Sequence, residues 1–525
     1  MMRTNILKAS LAAASLVAGL TACDADKLTE VNVNPNNPEI VSSQSLFTNG
    51  TVGLMQSLRG PLLGLGYPAV WSQHFSEIQY PESDISQTRS ANVDAMWARF
   101  YTGTITGPTM GSLQDYNTIL KQSTANPNLL APTLVMRAFA FQTLTDMYGD
   151  IPLTEAGRAE EFLTPKYDAQ AVVYDSIFAM YTRAVTITNP SEDVTSPNFA
   201  RMGDADPVYG GLTAAQEAAK WVKAANSLRA RAALRISQTG ADPVKAKAQL
   251  TAALAGPVFV SNADNAVMAW PGGTLGNPLC LNWANAGCGG TRDDQRVSAR
   301  LVDTLKVNDD PRLAAFADPT PNSLKATAST CDIPYRGYPN GQDAIKDVNS
   351  CTKELFKLSD YSRPNISIRS PQSESLIMTY SELMFIKAEA AERSLVGTPA
   401  QAGAFYLEAI RASLQQWGVD PADITAYLGR AQVAYKGGAA GLQQIAYEKW
   451  VALYNQETEA WAEQRRLDYP VMKVGPNVVT TTIPTRIPYP TTEQSLNATN
   501  LNAAIASQGG ANGTSLTGKV WWDKP

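Results

Sequence analysis

Residues 132–155 read PTLVMRAFAFQTLTDMYGDIPLTE. Leu134, Ala138, Phe141, Leu144 and Tyr148 fall on one helical stripe, and Val135, Phe139 and Met147 widen it until most of the circumference is apolar. A helix apolar on so many sides is covered by other helices rather than laid on a surface. Pro132 suits a first helical turn, where its missing N–H costs nothing. Gly149 sits where a left-handed residue ends a helix, and Pro152 keeps the helix from resuming. The stretch predicts a buried central helix with a sharp stop.

Helical periodicity continues on both sides. Residues 43–58 and 91–121 read as helices, and 168–188 carries the stripe Tyr174, Ile177, Phe178, Tyr181 and Val185. Residues 213–239 form another, buried along Trp221, Ala225, Leu228 and Ala232 and closed by Gly240. Arg229, Arg231 and Arg235 on that helix suggest an anion site at first sight. At helical spacing they read better as a solvated or carboxylate-paired face. Helical order is expected again from Ser375, then over 400–417 and 442–467. On the last of these Trp461 is expected to pack inward and Glu463 to pair with Arg466 three residues on. Between about 255 and 370 the texture changes: Gly, Pro, Asn and Thr cluster and the stripes vanish. A long irregular insertion on a helical scaffold is where binding loops tend to live.

Composition narrows the chemistry. The 525 residues are 44% hydrophobic and only 17% charged, with a formal net charge of −5, which argues against a nucleic-acid partner. His74 is the one histidine, so HExxH zinc sites and most histidine clusters are excluded. A structural histidine bonded to a neighbour is the expected role. No GxSxG elbow and no phosphate-binding glycine loop occurs, and no cofactor is expected.

The chain opens with basic Arg3 and Lys8, an apolar run over 9–20, and Leu20-Thr21-Ala22-Cys23. This is a secretory signal over 1–22, ending in what resembles a bacterial lipobox that makes Cys23 the lipidated first residue of the mature chain. The run is too short to remain as a membrane-spanning helix. Polar residues 23–39 read as a tether, and 40–525 as a single domain. Cys280, Cys288, Cys331 and Cys351 remain, an even set in an exported chain. Cys280–Cys288 and Cys331–Cys351 are the preferred pairs, because each closes a local loop. A zinc site is the rival reading and free buried thiols the third.

Several segments carry a family resemblance. Leu144-Thr145-Asp146-Met147-Tyr148-Gly149-Asp150-Ile151-Pro152 is the first, and Asn226-Ser227-Leu228-Arg229 follows on its helix. Then come Asp310-Pro311-Arg312-Leu313, the run 335–341 (YRGYPNG), the helix 375–394, Glu459-Ala460-Trp461, Arg465-Arg466, the run 483–490 and Val520-Trp521-Trp522. In this order they resemble the SusD/RagB family of outer-membrane nutrient-binding lipoproteins. The resemblance implies a mostly α fold of tetratricopeptide-type helix pairs, about 40–250 and 375–470, with the irregular lobe at about 255–370. It also implies a lid over a SusC-type TonB-dependent transporter in the outer membrane, lipid-anchored and facing outward, that captures oligosaccharides. Peptide capture, as in RagB-like members, is the alternative, and a surface glycan-degrading enzyme the third.

A sugar ring has an apolar face and a hydroxyl rim, so it is best held by a flat aromatic flanked by amide, Arg or Asp side chains. Trp97 shares helical periodicity with Phe100 and Tyr101 and reads as core. Aromatics outside such periodicity are the ligand candidates: Trp71 and Tyr80 early in the chain, and Trp270, Trp283 and Tyr335 in the lobe. For one site, the two groups must converge in the fold.

Overall fold

A computed structural model describes residues 41–103, 111–158, 161–188, 200–238, 240–284 and 286–523. The expected signal, the tether and Cys23 lie outside these. Residues Ser43–Pro525 form one compact unit. Its helices are α1 Ser43–Arg59, α2 Tyr67–Trp71, α3 Ser90–Tyr101, α4 Leu113–Gln122, α5 Pro127–Tyr148, α6 Gln170–Ile187, α7 Ala214–Arg235 and α8 Pro243–Ala255. The lobe contributes α9 Ala299–Val307, α10 Arg312–Phe316 and α11 Ile366–Arg369. After it come α12 Tyr380–Glu392, α13 Pro399–Gln416, α14 Pro421–Leu428, α15 Gly438–Ala452, α16 Glu457–Leu467, α17 Thr491–Leu496, α18 Ala498–Ser507 and α19 Ala511–Thr514. The strands are short: β1 Phe75–Glu77, β2 Ala266–Met268, β3 Gln295–Val297 and β4 Ser375–Met378. β1 pairs with β3 and β2 with β4, both antiparallel.

The central helix is α5, and every residue from Leu129 to Tyr148 except Arg137 is buried. It packs on α6, which packs on α7, which packs on α8; α12 with α13 repeats the pairing. This is the expected mostly α, tetratricopeptide-like scaffold. Pro132 is not in its first turn, because Pro127 already takes the first position and Pro132 lies inside the helix. The stop is as expected. Gly149 has φ 84°, and a Cβ there would come within 2.3 Å of the Gln508 amide oxygen, so the position requires glycine.

Three expected boundaries move. Helix α7 ends at Arg235 rather than at Gly240. Ser375–Met378 is a strand, not the start of a helix, because it finds an edge to pair with in Ala266–Met268. The expected helix over 442–467 is two, α15 and α16, broken where Asn455 takes φ 73°.

Two of the three arginines of α7, Arg231 and Arg235, are carboxylate-paired. Arg231 donates from Nε to Glu382 Oε1 at 2.6 Å, and Arg229 donates to the Gln249 amide oxygen. Arg235, fully buried, pairs with Glu459 and lies 3.5 Å from Glu463 and 3.7 Å from Asp146. Glu463 also meets Lys449 at 2.5 Å and, as expected, Arg466 at 2.7 Å; Arg466 reaches Glu389 on α12 at 2.6 Å. Trp461 is fully buried. In the lobe Cys280 is bonded to Cys288 and Cys331 to Cys351, the preferred pairs.

Candidate functional site

Early chain and lobe meet at the β1–β3 ladder. Phe75 lies opposite Val297 and Glu77 opposite Gln295. The ladder runs on, because the backbone N–H groups of Ile78 and Gln79 both donate to Asp294 O, at 2.8 and 3.2 Å. Tyr80 follows directly. It takes φ 55° and is 60% exposed, the most exposed large aromatic of the described core-scale side chains. The Arg292 guanidinium lies over its ring, 4.8 Å from the centre, and is itself bonded to Asp294 Oδ2. Two residues on, Glu82 pairs with Arg89. A solvent-facing ring with a guanidinium and carboxylates beside it is the arrangement a sugar ring calls for.

Two buried carboxyl groups shape the loop that presents Tyr80. Glu77 Oε2 accepts the backbone N–H groups of Ser83 and Asp84, both at 3.1 Å. Asp84 Oδ2 accepts the N–H of Glu77 at 3.0 Å and the Ser76 hydroxyl at 2.6 Å. The other oxygen, Oδ1, accepts Asn340 Nδ2 and Gly341 N, each at 3.0 Å. Asn340 also donates to Phe75 O, so the lobe is tied to β1 and to the Tyr80 loop through one amide. Burial pushes the Glu77 carboxyl up to about 8 and that of Asp84 up to about 6, although the hydrogen bonds they accept pull the other way.

Three of the five aromatic candidates are core residues. Trp71 is 1% exposed, rests 5.1 Å from the Trp461 ring and donates its indole N–H to Ser83 O at 3.2 Å. Trp283 is 1% exposed in an apolar cluster with Leu65, Phe75 and Leu279. Its chain pairs with Asp293, and Ala284 N donates to Arg292 O at 3.0 Å. Trp71 thus supports the Tyr80 loop and Trp283 the Arg292 segment, both from behind the surface. Trp270 is buried in the scaffold core and donates to Ser375 Oγ at 2.8 Å. All three leave the candidate contact set because a fully packed indole offers no face to a ligand. Flanking Gly, Pro and Asn mark irregular backbone, which is not the same as an exposed side chain. Tyr335 is half-buried against the Trp283 cluster. Arg292, which lies over the Tyr80 ring, is not among the sequence candidates; its signal in the sequence is TRDD, four consecutive polar residues of which three are charged, in a charge-poor loop.

His74 is fully buried. Its Nδ1 lies 2.8 Å from Glu457 Oε2 and its Nε2 lies 3.0 Å from Trp450 O. Both ring nitrogens are spent on oxygens inside the fold, the structural role expected of it. Among the described residues no cluster of His, Cys, Asp and Glu could hold a metal ion, and no helix is long and apolar enough to cross a membrane.

A helix-pair scaffold presenting a loop-built aromatic surface defines a binding-protein architecture. The chain belongs to the SusD-like family, described as starch-binding and associating with the outer membrane, which it matches over residues 35–490. Solved structures agree on the fold. A chitin-binding protein is 26% identical, with 92% of this chain and 100% of that one covered, at a TM-score of 0.74. A SusD homologue from Bacteroides uniformis is 24% identical over 92% and 99%, at 0.72, and a chitin-binding SusD homologue from Flavobacterium johnsoniae 21% identical over 91% and 98%, also at 0.72. No curated protein matches the chain.

Proposed function

We propose that this protein is a surface-exposed lipoprotein that captures oligosaccharides and delivers them to a SusC-type TonB-dependent transporter of the outer membrane, acting as its lid. The observation that carries this reading is the family match across residues 35–490. The Tyr80–Arg292 surface is its ligand platform. The 26% identical chitin-binding protein makes N-acetylglucosamine oligomers the first ligands to try. Binding proceeds without turnover, consistent with a lone histidine committed to Glu457 and Trp450.

Titration calorimetry of the mature protein with chito-oligosaccharides, malto-oligosaccharides and mixed peptides tests the reading. Saccharide binding with unchanged saccharide afterwards supports it; binding of peptides alone moves the protein to the RagB-like alternative. Anchoring rests on Cys23, where processing supplies the several acyl chains that stable attachment needs. Cys23→Ser is expected to leave the protein in the soluble fraction of cells lacking the transporter, and retention in membranes contradicts the anchor.

A further inference from the structure

A cavity apart from the Tyr80 surface lies where the lobe meets the helical scaffold. It has a volume of about 280 Å³ and is built where α9, α13, α15 and the segment after α16 meet. Tyr406, Tyr447, Tyr469, Glu448, Arg300 and Asn308 are among the residues that line it. Tyr447 and Tyr469 are half-buried, while Tyr406 is 1% exposed.

The polar groups are arranged with donors to spare. Tyr447 Oη accepts from Asn308 Nδ2 at 3.0 Å, which leaves its own proton free to donate. The Tyr406 hydroxyl has no hydrogen-bond partner among the described residues, although the side chain is almost wholly enclosed. A ligand hydroxyl or carbonyl in the cavity would give it a partner. Arg300 spends Nη2 on Val471 O at 3.3 Å and makes no ion pair among the described residues. Glu448, by contrast, is committed to Arg312 at 2.6 Å and to the Tyr427 hydroxyl at 3.0 Å. Glu448 is therefore fixed, while the Tyr447 proton and the Arg300 guanidinium remain available. Burial raises both the Tyr406 and Tyr447 hydroxyls above their ordinary range, so they stay protonated donors.

We propose that this cavity is a second saccharide subsite, taking one terminal sugar residue, separate from the Tyr80 platform. The volume falls just below the roughly 300–1,000 Å³ of sites for drug-sized ligands, which suits a single ring rather than an extended chain. Tyrosine walls match the apolar C–H faces of a pyranose, and the hydroxyl, guanidinium and amide groups match its rim. The inference rests on the reading of the protein as a saccharide binder.

The test uses the mature protein and triacetylchitotriose or maltotriose, by calorimetry and by crystals soaked with each. Wild type is expected to bind two equivalents, and Tyr80→Ala to weaken one of them by about tenfold or more while leaving the other unchanged. Tyr447→Phe keeps the ring and removes one hydroxyl, so it should weaken the second event by about threefold to tenfold, the loss one neutral hydrogen bond carries. Combining it with Arg300→Ala should abolish that event, with an unchanged melting curve showing that the fold is intact. One equivalent in wild type, weakened by Tyr80→Ala and untouched by Tyr447→Phe, overturns the second site and leaves the proposed function standing. No binding of either saccharide by wild type overturns both.

Discussion

The interface of α7 with α12 and α16 and the corner built on β1 and β3 handle polar groups in opposite ways. Between the helices, Arg231, Arg235, Lys449 and Arg466 are buried and each meets a carboxylate, so charge is spent inward on holding helices in register. At the corner, buried Glu77 and Asp84 meet no cation among the described ion pairs and accept backbone and side-chain hydrogen bonds instead. They shape a loop, and beside it the Arg292 side chain is half-exposed next to the exposed Tyr80 ring. Paired buried charge builds a scaffold; buried carboxyls capping backbone build a presenting loop. The two regions should therefore fail differently.

The largest effect is expected in the network. Arg235→Leu removes the close partner of Glu459 and a cation beside Asp146 in the interior, and breaking such buried pairs costs about 3–5 kcal/mol. Urea denaturation measures it. A loss below about 1 kcal/mol would mean the surrounding arginines already satisfy those carboxylates.

Trp283→Ala comes next, because it combines a core cavity with a functional readout. Removing a buried indole costs about 3–5 kcal/mol. Since the same segment carries Arg292, saccharide affinity should also fall in the fraction that remains folded. A stability loss with untouched affinity would show that Arg292 needs no support from behind.

The sequence made the scaffold legible and the site only in part. Stripes such as Leu134–Phe141–Tyr148 announce burial because a 3.6-residue period is set by the helix itself. Trp71, Trp270 and Trp283 carry no such mark. Each lies outside a clear stripe, yet each is packed by segments far away in the chain, and single-sequence periodicity cannot report that. Tyr80 stood out for the same reason and proved exposed. Convergence of early chain and lobe was required by the reading, and Ile78, Gln79 and Asp294 supply it. Arg292 belongs to the site only through the β1–β3 register, which short strands do not announce.

A smaller effect concerns pH. Glu77 has its folded pKa raised from 4.5 to about 8, and Asp84 from 3.8 to about 6. For acids raised by folding, the native state binds more protons than the unfolded chain. Their contribution is full below the unfolded values and lost as pH rises through the folded ones. The Tyr80 loop should loosen between about pH 4 and 8, read as faster exchange of the Ser83 and Asp84 amides after correction for base catalysis. Glu77→Gln mimics the protonated acid, whose second oxygen can donate to Ser83 Oγ. It should flatten the upper part of that dependence; an unchanged profile would assign the loosening to another group.

The central claim is that ligand is held at the corner and not by the buried tryptophans. Calorimetric titration of Tyr80→Ala with the saccharide that wild type binds tests it most directly. Tyr80 is exposed, so the fold should lose no more than about 0.5 kcal/mol. A stacked ring is worth about 0.5–1.5 kcal/mol beyond its area, and with that area the platform's affinity should drop about tenfold or more. Unchanged affinity in a protein with an unchanged melting temperature would contradict the account and place the ligand elsewhere.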